Sequence, residues 1–159
     1  MVSYVDRLYG FLRLTLLSGA ALGLAACSDA PKDTHPEQLV TKRQALFKQF
    51  TRTLEPMGVV ARDRQPYRPD ELLVQALELQ RLASQPWPLF RPDGNYPPTR
   101  ALAKVWDEPA AFEQAQRLYI SRVDALVEAA KRRDLAIIRS AVNEVELTCK
   151  ACHDRFRRS

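Results

Sequence analysis

Residues 134–156 read DLAIIRSAVNEVELTCKACHDRF, and the spacing of their apolar members decides the fold. Leu135, Ile138, Val142, Val145, Cys149, Cys152 and Phe156 recur at alternating intervals of three and four, which puts them on one stripe of a helix. Asp134 is placed to cap its N-terminus. Within the stripe stands Cys149-Lys150-Ala151-Cys152-His153, a C-x-x-C-H, the attachment signature of a c-type haem. Two thiols at that spacing add across the two vinyl groups of one porphyrin, and the next residue offers an imidazole to the iron as axial ligand. On a helix Cys149 and Cys152 are i,i+3 and Cys149 and His153 are i,i+4, so all three side chains leave one face. That face holds one haem, and it is the face turned to the core.

Other uses of a C-x-x-C fit less well. A structural zinc site needs four ligands, and no second Cys pair or spare His cluster completes one. A thioredoxin-like pair opens a helix after a strand in an α/β pattern, whereas this pair lies near the end of a long helical stretch in a chain with little strand signal.

The first 26 residues read as a signal peptide. Arg7 and Arg13 form a positive n-region, and Leu14 to Ala26 is an apolar run too short for a transmembrane helix, which needs about 20 apolar residues. The run ends in Leu24-Ala25-Ala26-Cys27, which looks like a bacterial lipobox whose Cys27 becomes the lipidated first residue. An ordinary small-residue cleavage site ahead of a Cys is the alternative. The chain has three Cys, so lipid on Cys27 and thioethers at Cys149 and Cys152 leave no free thiol and no disulfide. Export agrees with haem attachment, which in bacteria takes place outside the cytoplasmic membrane. Ser28 rather than Asp after Cys27 favours the outer membrane, with a soluble periplasmic protein as the alternative. Loss of Arg7, Arg13 and Asp6 lowers the formal charge of +5 by one, a mildly basic balance that haem propionates reduce further. No Arg/Lys block with interleaved aromatics points to nucleic acid; Arg155, Arg157 and Arg158 complement a helix C-terminus.

Residues 27–36 read as a tether, and 37–159 as one domain. A first helix from Glu37 to about Val60 carries Leu39, Leu46, Phe47, Phe50, Leu54 and Met57 on one face, with Pro36 suited to its first turn. Asp70, after Pro69, is expected to cap a second helix with Leu72, Leu73, Ala76, Leu77, Leu79 and Ala83 inward. Gln85 to Pro98 is Pro-rich and forms an irregular crossover whose Trp87, Phe90 and Tyr96 close one end of the core. A third helix from about Glu108-Pro109 to Arg132 buries Phe112, Ala115, Tyr119, Val123, Leu126 and Ala130. With the fourth helix the chain is all-α, an antiparallel four-helix bundle with covalent haem near the end of its fourth helix. The other face of that haem meets the first helix.

Arg43-Gln44-Ala45-Leu46-Phe47, Ala83-Ser84-Gln85-Pro86-Trp87, Lys104-Val105-Trp106-Asp107 with Ala111-Phe112, and Cys149 through Arg157 resemble cytochrome c prime of the four-helix type. The resemblance runs from about Thr41 to Arg157. The motif near the C-terminus is its most specific point, and the tethered front departs from a usually soluble periplasmic family. The resemblance implies a five-coordinate, high-spin haem with His153 as proximal ligand and an apolar residue over the vacant side, here Phe47. Related low-spin cytochromes place Met there. It also implies Arg43 near a propionate, Arg157 in the proximal pocket, where NO can end after His release, and a two-fold dimer through the first and second helices.

Met57, about 15 Å along the first helix from Phe47, and His35, in the tether, are the other side chains able to ligate iron. They read as a core gap-filler and a solvated linker residue. An apolar distal side without a donor favours CO and NO over dioxygen. The leading expectation is therefore NO and CO binding, buffering or detoxifying NO with no enzymatic turnover. The alternative is a periplasmic single-electron carrier with an unknown redox partner. A peroxidase lacks its distal His–Arg pair.

Overall fold

The computed structural model describes residues 31–158. The expected signal peptide and the expected lipidation site, Cys27, lie outside the described residues. Four long helices, α1 (Leu39–Ala61), α2 (Pro69–Leu82), α4 (Pro109–Arg132) and α5 (Leu135–Phe156), are joined by short turns and one long crossover. The crossover holds two 3-10 turns, Trp87–Leu89 and Pro92–Gly94, and the one-turn helix α3 (Lys104–Asp107). α1 packs on α2, α2 on α4, α4 on α5 and α5 back on α1, which closes an all-helical four-helix ring. Among the described residues the only β pairing is one isolated bridge between Ala101 and Arg157.

The expected stripes close on one another. Met57, Leu79, Leu82, Val123, Leu126, Ile138, Val142 and Val145 are fully buried in a common core. A second cluster, Val105, Phe112 and Phe156 with Trp87, Phe90 and Trp106 against it, sits at the end where the crossover meets the close of α5. The backbone ties that end together. Leu102 N–H donates to Phe156 O at 2.9 Å, and Arg158 N–H donates to Arg100 O at 2.8 Å.

Asp134 caps α5, its carboxylate accepting from Ala136 N–H at 2.8 Å and Ile137 N–H at 3.3 Å. Two other expected starts are corrected. α2 begins at Pro69 with Arg68 before it, so Asp70 lies inside the first turn, where its carboxylate favours the helix dipole and pairs with Arg133 instead of capping. α1 begins at Leu39, and Pro36 stands outside it. Gln38 precedes the helix with φ 51°, and the orphan N–H groups are met from elsewhere. Thr41 N–H donates to Asp33 Oδ2 at 2.8 Å, Val40 N–H to Tyr96 Oη at 3.3 Å, and Tyr96 Oη to Asp33 Oδ1 at 2.7 Å. One further expectation fails. Leu77 is 43% exposed, because about 100° per residue carries it off the stripe of Leu72, Ala76, Leu79 and Ala83.

Candidate functional site

The seam between α1 and α5 opens into a cavity of about 600 Å³, within the range of about 300–1,000 Å³ typical of small-molecule and cofactor sites. α5 contributes Cys149, Cys152 and His153 to its wall, and α1 contributes Phe47, Phe50, Thr51 and Leu54. Trp87 and Phe90 from the crossover and Phe112 and Tyr119 from α4 complete an aromatic lining. Sequence reasoning assigned Trp87 and Phe90 to closing the core. They also form the wall of the site, as do Phe112 and Tyr119, whose i,i+7 spacing puts both on the face of α4 that meets the motif.

Phe47 packs edge-on against Phe50, Trp87 and Phe90, with centroids 5.4, 5.7 and 6.2 Å away. Across the cavity its centroid lies 6.5 Å from that of His153, the rings inclined at 74°. The wall also carries an unpartnered polar group. Tyr119 is 5% exposed and its hydroxyl has no hydrogen-bond partner.

Burial pushes the Cys149 thiol up to about 11, with Cys152 and Glu146 adding to it; burial also raises Cys152. Both therefore rest as neutral thiols, unlike the thiolate of a redox pair. Burial, then Arg157, holds the His153 imidazole below its ordinary value, so it is neutral with a lone pair to give. Arg157 Nη1 stands 3.4 Å from His153 Nδ1. Arginine has no acceptor, and among the described residues no carbonyl or carboxylate braces Nδ1 as one usually braces a ligating imidazole.

Arg43 is 3% exposed and holds the crossover. Its Nη1 donates to Leu89 O at 3.2 Å, and its Nη2 donates to Gly94 O at 2.9 Å and Thr99 Oγ1 at 2.6 Å. The guanidinium lies 4.6 Å over the Phe90 ring. Gly94 makes this possible, since a Cβ there would stand 2.9 Å from Arg43 Nη1 and 3.2 Å from Leu89 O. Arg43 also borders the cavity. Met57 lies in the bundle core outside the lining, and His35 stacks on Tyr96 near Asp93. Thr99, Arg100 and Ala101 line the rim; as loop residues they carry no periodic signal.

An all-helical bundle whose last long helix turns two thiols and an imidazole into an apolar cavity of cofactor size defines a haem-attaching four-helix cytochrome. The chain belongs to the Cytochrome C' family, whose model matches residues 38–157. It is similar to cytochrome c' of Alcaligenes xylosoxydans xylosoxydans, 29% identical over 77% of this chain and 95% of that protein. Cytochrome c-556 of Rhodopseudomonas palustris is 27% identical over 92% and 97%. Among solved structures, a carbon monoxide-bound variant of cytochrome c prime from Alcaligenes xylosoxidans matches with TM-score 0.75 and 28% identity, over 80% of this chain and 100% of that one. A nitric oxide complex of another variant matches equally, with TM-score 0.75. The chain is thus a c-type haem protein with one covalent haem c, and Cys149-Lys150-Ala151-Cys152-His153 is its C-x-x-C-H motif.

Proposed function

We propose that the chain holds its haem five-coordinate and high-spin and binds nitric oxide and carbon monoxide under Phe47, buffering or detoxifying NO without turnover. The carrying observation is Phe47 opposite His153, because a phenyl ring has no lone pair to close the iron. Phe47 itself offers no donor to a ligand beneath it, which selects against dioxygen, whose bound form needs one. Solved relatives with NO and CO support the same reading. His153 beside Arg157 lacks a bracing acceptor, which favours its release when a strong ligand binds opposite, and Arg157 then faces the proximal site. Arg43, with donors left over after three hydrogen bonds, contributes to holding a propionate.

The deciding experiment is the visible spectrum of the reduced holoprotein before and after CO. A broad spectrum that sharpens on CO supports the proposal. A sharp, split spectrum indifferent to CO overturns it in favour of the single-electron carrier.

The same proposal places the protein on the periplasmic side of a bacterial membrane, anchored through lipid on Cys27, with the outer membrane favoured by Ser28. Pairing into a homodimer through α1 and α2 is supported by Val74 and Leu77, 65% and 43% exposed on α2.

A further inference from the structure

The clamp that starts α1 also fixes the direction from which the chain arrives. Asp33 is tied to Thr41 and Tyr96, and His35 stacks on Tyr96 with its Nε2 3.4 Å from Asp93. Arg91 adds a bidentate bond to Glu37, at 2.9 and 3.0 Å. Residues 33–37 are therefore docked on the crossover, at the bundle end where Arg100 and Arg157 border the cavity. Only five residues lie between Cys27 and Asp33, and the six chain steps even fully extended span about 20 Å. α1 alone is about 35 Å long. An anchor at Cys27 keeps the clamped end next to the lipid and the opposite end away from it.

Charge settles which surface that end presents. Arg100, Lys104, Arg157 and Arg158 are exposed and gathered by the pairing of residues 100–102 with 156–158. None of the four pairs with an acidic side chain among the described residues, while nearby Glu37, Asp93 and Glu108 are occupied by Arg91 and Arg155. Asp107 offsets part of the surplus. Arg100 and Arg157 border the cavity itself.

We propose that the bundle end formed by the cavity rim and the residue 100–104 segment faces an anionic phospholipid surface, with Arg100, Lys104, Arg157 and Arg158 toward it. The inference rests on the lipidation of Cys27. Basic side chains feel such a surface within about 10 Å, and a tether of at most about 20 Å keeps them close enough to reach it. Ligand and electron exchange at the rim then takes place beside the bilayer, where apolar gases concentrate.

The test uses full-length holoprotein isolated from membranes and reconstituted in vesicles of phosphatidylcholine alone or mixed with phosphatidylglycerol. Lysines are acylated with a water-soluble active ester and read by mass spectrometry, each normalised to the protein in detergent. Lys104 reports the clamped end. Lys131, at the close of α4, reports the opposite one. The expected result is a several-fold fall in the Lys104 to Lys131 ratio on phosphatidylglycerol vesicles, largely reversed in Arg100→Gln/Arg158→Gln. Equal labelling on those vesicles, with the N-terminal peptide carrying diacylglycerol, overturns the orientation. Equal protection on both lipids overturns the anionic surface. An N-terminal peptide without lipid overturns the anchoring reading itself.

Discussion

On the proposed reading, the single side chain of Phe47 decides what the iron can do. Its ring faces His153 from 6.5 Å, so the flexible thioether of Phe47→Met reaches the metal from the same place. The expected outcome is a sharp, six-coordinate low-spin spectrum and loss of CO binding, read by CO titration of the reduced protein. Arg43 shows the reverse case, a charge whose main structural work is mechanical. In Arg43→Met the acceptors Leu89 O, Gly94 O and Thr99 Oγ1 lose their donor. Orphaned acceptors cost more than the relief of an unpaired buried charge returns, so urea unfolding should show a loss of about 2–4 kcal/mol. The two residues differ in how legible they are. The C-x-x-C-H of Cys149, Cys152 and His153 can be read from five letters. Phe47 and Arg157 come through resemblance. The three bonds from Arg43 to the crossover depend on a loop conformation that no local pattern announces.

Among the elements, α1 is held at both ends by side chains from elsewhere. Desolvation pulls the Asp33 carboxyl up, but hydrogen bonds outweigh it and hold it at about 2 against an ordinary 3.8; Thr41 N–H, the Tyr96 hydroxyl and His35 N–H donate to it. A carboxylate depressed in the fold stabilises fully above pH 3.8 and loses that contribution as pH falls through about 2. The wild-type advantage over Asp33→Asn in thermal unfolding should therefore be present at neutral pH and fade across that window. At the other end, Arg62 pairs with Glu146 at 2.9 Å over Gly58. A Cβ at Gly58 would meet Arg62 Nη2 at 2.6 Å and Glu146 Oε1 at 2.7 Å. Both are ends of flexible side chains. Gly58→Ala therefore trades a gain in helix propensity of up to about 1 kcal/mol against a half-exposed ion pair worth about as much or less. Denaturant titration should find a net change within about 0.5 kcal/mol. The helix positions were legible because the apolar stripes repeat over many turns. The start of α1 was not, since its caps come from Asp33 and Tyr96, and Tyr96 lies 56 residues from Val40.

For the whole molecule, the cavity is the centre of the energetics. Leaving about 600 Å³ unfilled would cost up to about 14 kcal/mol at about 24 cal/mol per Å³, an upper bound because the mouth is open. That rivals the entire stability of a domain of this size, about 5–15 kcal/mol. Cys149→Ala/Cys152→Ala, exported but unable to form thioethers, should show reduced helical circular dichroism and a broad, low-temperature melt. The bundle as a class was readable from four stripes and one proline-rich crossover. The aromatic wall was not, because Trp87 and Phe90 reach the site only once the crossover folds back on α1. That placement has an optical consequence. The chain has two tryptophans: Trp87 lines the cavity, and Trp106 packs in the adjoining cluster. A porphyrin that near quenches both by energy transfer. The folded holoprotein should be nearly dark under ultraviolet excitation, and any emission from a preparation counts the molecules that never received their haem.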